Sequence, residues 1–428
     1  MTRLIRNIFA YLMVGVLLLA TSCHKGGDGD DPITTPQTLI VYLAGTSLGS
    51  FFNTNVYDIE QALQADIQGN SRVVVVWQYC EKDSEKNSKT QEYEFKTNKS
   101  EAIELFYDKS LDTVLHKKIA TYDLPQTMDS ETLGRIFQDV IQKAPAAASG
   151  LIIGAHGWGW IPYADYPEVW KNKLSPTDAR LRVKKELPRH LLTRFIGDTP
   201  PPNGNLTLNG ANRFDIGTLS EALSSTGKTL EYILFDACFM ANVEAVYELR
   251  HNTKYIIGSV CEIMGNGFPY ADTVPYLLQN GGRSYDLHKA AESFHNHYKN
   301  TLRYSGSISL IKCSQLDALA SAMKEVNQHL KDEYSLSKIQ SYEGGVNHIF
   351  FDLGDYVDKA CDNESAKSRL HRQLEATIAT KYTLDTFWST YIDADYYPIT
   401  SYSGLSTSAP SLLCRDSYYQ TAWYKATH

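Results

Sequence analysis

Short, almost continuously apolar stretches that alternate with helix-like segments constrain the fold of this chain most. The apolar stretches are TLIVYLAG (38–45), RVVVVWQYC (72–80), GLIIGAHGWGW (150–160), EYILFDAC (231–238) and KYIIGSV (254–260). Between them, segments such as 53–67 and 128–144 place apolar residues at helical spacing, with Ser130 as the candidate N-cap of the second. Strands without polar alternation are typical of parallel sheets buried on both faces. The sequence therefore predicts an α/β fold with a mainly parallel sheet covered by helices on both faces.

The composition indicates a globular chain and argues against one class of partner. The 428 residues are 43% hydrophobic, which is enough to bury a sizeable core, and they carry a formal net charge of −8. A chain of this charge has no basic field to hold a phosphate backbone. We therefore expect no nucleic-acid partner.

The first 36 residues have the features of an export signal followed by a tether. Arg3 and Arg6 precede the apolar stretch at 8–20, which is short for a membrane span, so residues 1–22 are predicted to be a signal peptide. Residues 20–23 (ATSC) resemble a bacterial lipobox, which implies lipid on Cys23, a membrane anchor and an outer-membrane location facing the periplasm or the exterior. An ordinary secretory signal is the alternative. Residues 23–36, rich in Gly, Asp and Pro, are predicted to be a flexible tether.

Two predicted strand ends carry residues with reactive side chains. His156 follows one apolar stretch and Cys238 ends another, and in parallel sheets functional groups gather at the carboxyl ends of the strands. A thiolate, an imidazole and backbone N–H groups aimed at an oxyanion are the parts of a cysteine peptidase site. Gly157 and Cys238 are the candidate oxyanion donors, the latter at an expected helix start. As catalytic groups, both side chains are expected to lie at strand ends outside the packed core. Alternatively, both are packed core residues.

The remaining cysteines give no sign of a metal site. The chain has seven cysteines, but it contains no CxxC motif and no His/Cys spacing suited to zinc. We expect buried, inert thiols besides Cys238, and no cofactor for the chemistry. A structural calcium ion is compatible with the sequence, but no motif indicates one.

Two motifs resemble those of a known family. HGWGW (156–160) and FDACFMANVEAVYEL (235–249) resemble the signatures of clostripain-like cysteine peptidases of the caspase-like clan, and GNGFPY (265–270) and GLSTSAP (404–410) agree more weakly. The resemblance implies a caspase-like fold, with His156 as catalytic base and Cys238 as nucleophile. The chain departs from the family pattern at Ala155 and in SVCEIM (259–264), which bears on substrate preference.

A specificity for basic residues follows from the position of Asp236. Side chains two apart on a strand share a face, so Asp236 is expected beside Cys238, where it would pair with Arg or Lys of a protein or peptide substrate. The family uses the equivalent aspartate in this way. The alternative is that Asp236 caps the following helix or orients the turn. Glu262 is a second candidate substrate-binding residue.

The segment between the two motifs suggests self-cleavage. Residues 161–213 form a long insertion that includes a run of basic side chains, namely Arg180, Arg182, Lys184, Lys185, Arg189 and Arg194. An enzyme specific for basic residues would carry a substrate next to its own active site, and long insertions are favoured cleavage sites. The alternative is that these charges solvate a surface helix.

The last part of the chain differs in character. We expect a peptidase domain at 37–312 and a small C-terminal subdomain at 313–428, in a monomeric protein. Tyrosines in the subdomain, Tyr391, Tyr396, Tyr397 and Tyr402, indicate either half-buried packing or a binding surface. Two functions remain: a lipid-anchored cysteine endopeptidase, and a catalytically silent surface-lipoprotein binding module on the same fold.

Overall fold

The computed structural model describes most of the chain after residue 34. The described residues are 35–45, 48–65, 71–86, 93–125, 128–162, 165, 213–278, 284–302, 305–344, 347–390 and 395–428, without the side chains of 35–36 and 79–98. The predicted signal peptide, the lipid site Cys23, the tether up to residue 34 and nearly all of the insertion at 161–213 therefore lie outside the described residues. The predictions made for them stay predictions.

One mixed sheet of nine strands organises the described chain, in the order β10-β8-β7-β6-β5-β1-β2-β3-β4. Its strands are β1 (Thr35–Leu43), β2 (Arg72–Lys86), β3 (Tyr93–Asp108), β4 (Thr113–Asp123), β5 (Ala146–Gly154), β6 (Leu230–Asp236), β7 (Thr253–Gly258), β8 (Ile308–Lys312) and β10 (Ile378–Tyr382). The pairs within the central run from β7 to β2 are parallel, and both flanks are antiparallel. The predicted mainly parallel α/β sheet is confirmed.

Eleven α-helices accompany the described part of this sheet. They are α1 (Gly49–Ala65), α2 (Ser130–Lys143), α3 (Ile216–Ser225), α4 (Val243–Glu248), α5 (Tyr270–Leu277), α6 (Leu287–His297), α7 (Leu316–Asn327), α8 (Leu353–Ala360), α9 (Glu364–Thr377), α10 (Arg415–Tyr418) and α11 (Ala422–Thr427). α1 packs on α5, and α2 packs on α3. The chain moves in opposite directions along the sheet from β1 to β2 and from β5 to β7. Right-handed crossovers therefore place α1 and α3 on opposite faces.

The apolar periodicity of α2 behaves as the sequence predicts, except at its start. Leu133, Ile136 and Val140 are buried on one face. The N-cap is Asp129, whose carboxylate accepts a hydrogen bond from the Thr132 N–H at 2.7 Å, and not Ser130 as we expected. A carboxylate at the N-cap satisfies an otherwise unpaired backbone donor at the end of the helix.

The C-terminal part of the chain is connected to the main sheet. β10 pairs with β8, and two smaller pairs are formed by β11 (Thr386–Ser389) with β12 (Asp395–Pro398) and by β13 (Ser406–Thr407) with β9 (Phe351–Asp352). Tyr396 packs on Trp388 with a centroid distance of 4.7 Å, and Tyr397 packs on Phe387 at 5.5 Å. Tyr396 and Tyr397 therefore make packing contacts, whereas Tyr391 lies outside the described residues. The proposed boundary at residue 312 stays a prediction.

Candidate active site

His156 and Cys238 follow two neighbouring parallel strands. β5 ends at Gly154 and β6 ends at Asp236, and these two residues are paired in the register of the sheet. Just beyond them, the Ala155 N–H donates a hydrogen bond to the Asp236 carbonyl at 3.3 Å. The two side chains therefore leave the same edge of the sheet from adjacent strands, as the alternating pattern of the sequence indicates.

Gly157 brings the backbones of the two loops into direct contact. A Cβ atom at this position would lie 2.3 Å from the carbonyl oxygen and 2.8 Å from the backbone nitrogen of Cys238. No side chain fits at such distances, so glycine is required by space. The loop that carries His156 thus lies against the backbone of Cys238, although 81 residues separate Gly157 from Cys238 (238 − 157) in the sequence.

Cys238 lies in a turn and not at a helix start, so this expectation was wrong. α4 begins at Val243, and its N-cap is Asn242, whose side-chain oxygen accepts a hydrogen bond from the Ala245 N–H at 3.2 Å. The turn between Cys238 and the helix includes Phe239 at φ 60°, in the left-handed region. A helix dipole therefore does not act on the thiol from the position that we expected.

The Cys238 thiol is in contact with the loop that follows β7. The Ile263 N–H donates to Cys238 Sγ at 3.2 Å, and the Ile263 carbonyl oxygen lies 3.7 Å from the same sulfur. The Phe239 N–H donates to the Cys261 carbonyl at 3.1 Å, which fixes the turn to this loop. The sulfur therefore lies between a backbone donor and a backbone acceptor of the same residue.

Both proposed catalytic side chains are buried in this structure. His156 is 4% exposed and Cys238 is fully buried, whereas we expected them to lie outside the packed core. Aromatic rings of the two loops pack on one another, with ring centroids 4.5 Å apart for Phe239 and Phe350 and 6.1 Å apart for Trp158 and Phe239. In this structure the thiol is therefore closed to solvent.

Asp236 is fully buried and is engaged by a tyrosine. The Tyr270 hydroxyl donates to Asp236 Oδ2 at 2.9 Å, and Tyr270 is the last residue of the GNGFPY motif and the first of α5. Since Asn242 caps α4, Asp236 does not cap this helix, and the alternative that it orients the turn stays a prediction. Tyr270 was not predicted as a site residue, although the GNGFPY motif that ends with it was a signal.

Glu262 is also buried, and its carboxylate contacts the end of β11. It accepts hydrogen bonds from the Thr390 N–H at 3.1 and 3.2 Å and from the Thr390 hydroxyl at 2.8 Å. Glu262 directly precedes Ile263, which contacts the Cys238 sulfur. Its predicted role in substrate binding stays a prediction.

The described cysteines are all buried and free of disulfides: Cys238, Cys261, Cys313, Cys361 and Cys414. Burial raises the pKa of Cys313 to about 12 and also raises that of Cys261, where hydrogen bonds from three serines oppose the shift. Neutral thiols of this kind are poor nucleophiles. Within the described residues, no group of three or more His, Cys, Asp or Glu side chains could hold a metal ion. No described helix is long and apolar enough to cross a membrane.

The chain is similar to several known peptidases. A family model described as the clostripain family matches residues 206–409, a range that includes Cys238 but not His156. A search of curated proteins finds no match. The crystal structure of iotapain, a secreted C11 cysteine protease from Bacteroides thetaiotaomicron, is 31% identical with a TM-score of 0.75, over 93% of this chain and all of the other.

Two further crystal structures are also similar. A secreted C11 cysteine protease from Bacteroides thetaiotaomicron, solved with an irreversible peptide inhibitor, is 27% identical with a TM-score of 0.68, over 92% of this chain and 98% of the other. An inactive zymogen C11 protease from Parabacteroides distasonis is 24% identical with a TM-score of 0.68, over 93% of this chain and all of the other, and supports the fold alone. The identity and coverage of the iotapain match show that this chain belongs to the clostripain (C11) family of cysteine peptidases.

Proposed function

We propose that the protein is a lipid-anchored cysteine endopeptidase that cleaves peptide bonds after Arg or Lys, with His156 as the base and Cys238 as the nucleophile. The observation that supports the dyad best is the contact of Gly157 with the Cys238 backbone, because it brings the two loops together. Both residues also follow adjacent parallel strands, at the edge of the sheet where reactive groups gather.

The proposed reaction proceeds through an acyl-enzyme. His156 accepts the thiol proton, and the Cys238 thiolate attacks the carbonyl carbon of the scissile bond. The N–H groups of Gly157 and Cys238 donate to the oxyanion of the tetrahedral intermediate. When the intermediate collapses, the C–N bond breaks and the imidazolium returns its proton to the leaving amine. Water, deprotonated by His156, then hydrolyses the thioester and releases the acid and the free thiol.

The basic specificity is assigned to Asp236. Its fully buried carboxylate lies two residues before Cys238 and is oriented by the Tyr270 hydroxyl at 2.9 Å. A charged guanidinium or ammonium that reached this carboxylate would form a charge-assisted hydrogen bond, which is stronger than a bond to a neutral donor. A substrate with a basic side chain before the scissile bond is therefore favoured.

The burial of Cys238 supports a maturation step. A substrate cannot reach a fully buried sulfur, so the protein must change before it acts. Cleavage by the enzyme itself within 161–213, after one of the basic residues at 180–194, would supply this change in a chain with the proposed specificity. N-terminal sequencing of wild-type and Cys238→Ala protein after incubation tests this step, which predicts two fragments from the wild type only.

The proposed anchor is lipid on Cys23, in the outer membrane. It rests on the signal-like residues 1–22 and the lipobox-like ATSC sequence. Cys23→Ala protein should leave the membrane fraction and lose the mass of the lipid. Retention of the variant in that fraction would contradict the proposal. Protease treatment of intact cells distinguishes an exterior from a periplasmic orientation.

A pair of peptide probes tests the dyad and the specificity together. Each probe carries an electrophile that alkylates thiols, one with Lys and one with norleucine beside it. We expect the Lys probe to modify Cys238 faster, and we expect no labelling of this position in Cys238→Ala. Modification at another cysteine only, or no modification by either probe after cleavage within 161–213, would overturn the proposed dyad.

A further inference from the structure

The GLSTSAP segment at 404–410 packs against the loops of the proposed dyad. The Ser406 N–H donates to the Ala241 carbonyl at 2.9 Å, in the turn that follows Cys238. The Asn242 side chain donates to the Ser406 hydroxyl at 3.4 Å. β13 is only two residues long, yet it lies beside the connection from β6 to α4. The weak family-like motif near the C-terminus is thus part of the surroundings of the nucleophile.

Ser408 contacts both loops of the site at once. Its hydroxyl accepts a hydrogen bond from the Trp160 indole N–H at 2.7 Å, and Trp160 ends the HGWGW motif that begins with His156. Its backbone N–H donates to Glu244 Oε1 at 3.0 Å, and Glu244 lies in α4, directly after the nucleophile turn. We call the three residues Trp160, Ser408 and Glu244 the polar bridge.

All members of the polar bridge are buried. Trp160 is 4% exposed, and Ser408 and Glu244 are each 1% exposed. An indole N–H can only donate, so a buried tryptophan needs an acceptor at a fixed position. Glu244 Oε1 also accepts from the Thr407 hydroxyl at 2.7 Å, while Oε2 has no hydrogen-bond partner among the described residues. The carboxylate is therefore bonded to Thr407 and Ser408 through one oxygen only.

We propose that Ser408 is a positioning residue of the catalytic dyad, because it joins the His156 loop to the helix that follows Cys238. The inference rests on the proposed dyad. The imidazole and the thiol come from separate loops, and proton transfer between them depends on a separation defined to a fraction of an ångström. The contact through Gly157 fixes the start of the His156 loop against Cys238, and the polar bridge fixes the end of this loop, at Trp160, to the helix that follows Cys238.

A matched pair of variants in one strand tests this inference. Ser408→Ala removes the acceptor for Trp160 but keeps the backbone bond to Glu244. Thr407→Val is the control, because it removes a buried hydroxyl bonded to the same carboxylate but has no described hydrogen bond to the His156 loop. The readouts are the maximal rate and the half-saturating concentration for alkylation of Cys238 by the Lys probe, together with the unfolding temperature.

We expect Ser408→Ala to lower the maximal alkylation rate on the order of tenfold at an unchanged half-saturating concentration, because geometry and not binding is altered. Thr407→Val should have a lower unfolding temperature than the wild type but the same maximal alkylation rate. An unchanged rate in Ser408→Ala, or equal loss of rate in both variants, would overturn the positioning role. All variants are compared as protein cleaved within 161–213, in which the thiol is expected to be open. If wild-type Cys238 is not alkylated in that form, the proposed dyad fails and the inference falls with it.

A second variant removes the same hydrogen bond from the side of Trp160 and serves if Ser408→Ala does not fold. Trp160→Phe removes the donor, so that no buried indole N–H is left without an acceptor. It should lower the maximal rate to a similar extent, and adding Ser408→Ala to it should cost little more, because both changes delete one bond. Additive losses of rate would show that the bond between Trp160 and Ser408 does not position the dyad.

Discussion

Two regions contribute to the same site in different ways. One is the pair of strand ends that carry His156 and Cys238, and the other is the C-terminal segment formed by the described residues of 384–411. The strand ends are mostly apolar apart from Asp236, and parallel pairing of β5 with β6 places them side by side. The C-terminal segment contains short strands and buried polar residues, and it supplies hydrogen bonds to both loops: Thr390 to Glu262, and Ser408 with Trp160 and Glu244.

This difference separates the residues that react from those that hold them. A parallel sheet edge fixes the backbone of a loop at its first residue only, and the rest of the loop needs further contacts. In this protein, those contacts come from residues about 150 to 170 positions beyond Cys238 in the sequence. The following variants test this division of roles, from the largest expected effect to the smallest.

Loss of either proposed catalytic side chain should have the largest effect. We expect Cys238→Ala and His156→Ala each to lower kcat by roughly 10⁴-fold or more in a peptide hydrolysis assay, because the nucleophile and its base act as one unit. Cys261→Ala is the control, since this thiol is also buried but faces Ser259 and Ser307 and not the proposed dyad. Near-normal turnover in either dyad variant with native circular dichroism would contradict the assignment.

Glu244 should give the C-terminal contacts a pH dependence. Burial raises its pKa from the usual value to about 7, although bonds from Thr407 and Ser408 oppose the shift. Above about pH 4.5, Glu244 keeps its proton in the folded state but releases it in the unfolded state. The contribution of Glu244 to the free energy of unfolding is therefore fully present below that pH and is lost as the pH rises toward 7. Relative to Glu244→Gln, the wild type should lose about 3 kcal/mol of unfolding free energy across this window.

Denaturant unfolding of wild type and Glu244→Gln from pH 4.5 to 7.5 measures this loss. Glu364→Gln is the control expected to show no change over this range, because hydrogen bonding and charge from Lys367 lower the pKa of this exposed carboxyl below the range measured. Its contribution is present at neutral pH and is lost on acidification. A constant difference between wild type and Glu244→Gln over the whole range would show that Glu244 does not titrate in the folded protein.

A methyl group on Gly157 should separate the two loops. Its Cβ would meet backbone atoms of Cys238 at 2.3 and 2.8 Å, and backbone cannot rotate away as a side chain can. We expect Gly157→Ala to lower kcat by about 100-fold, since small displacements of catalytic groups are costly. Gly217→Ala in α3 is the matched control, because a Cβ there has nothing within 4 Å. Equal activity of both variants would show that the contact can relax without consequence.

The fold of the site edge could be predicted from sequence because its signals are local. The buried strands and the faces of helices such as α2 follow from the spacing of apolar residues. The start of α4 was misplaced, although Asn242 is a favoured N-cap residue and was a usable signal. The antiparallel strands β3 and β4 were not predicted, because in β4 exposed and half-buried residues predominate, without a continuous apolar run.

The polar contacts of the site could not be predicted in the same way. The bond between Trp160 and Ser408 joins residues 248 apart, and that between Tyr270 and Asp236 joins residues 34 apart. No local pattern of polar residues predicts such partners, since the sequence around a serine does not show whether its side chain lies on the surface or in the core. Only the motif resemblance pointed to GNGFPY and GLSTSAP, without the role of any residue in them.

The smallest effect that we predict concerns which buried carboxylate selects the substrate. Asp236 lies at the strand end, whereas Glu262 already accepts hydrogen bonds from Thr390. Asp236→Asn removes the charge but keeps the shape. It should therefore lower kcat/KM for a Lys substrate by about 30-fold relative to a norleucine substrate, which corresponds to the loss of one charge-assisted bond.

Glu262→Gln should leave that ratio within about threefold of wild type, because a carboxylate already engaged by Thr390 has less capacity to bind a substrate cation. Competition between the two substrates in one reaction measures the ratio without interference from differences in active enzyme. If Glu262→Gln changes selectivity and Asp236→Asn does not, the loop after β7, and not the end of β6, forms the specificity pocket. Equal reduction for both substrates in Asp236→Asn would assign the aspartate to the support of the nucleophile turn through Tyr270.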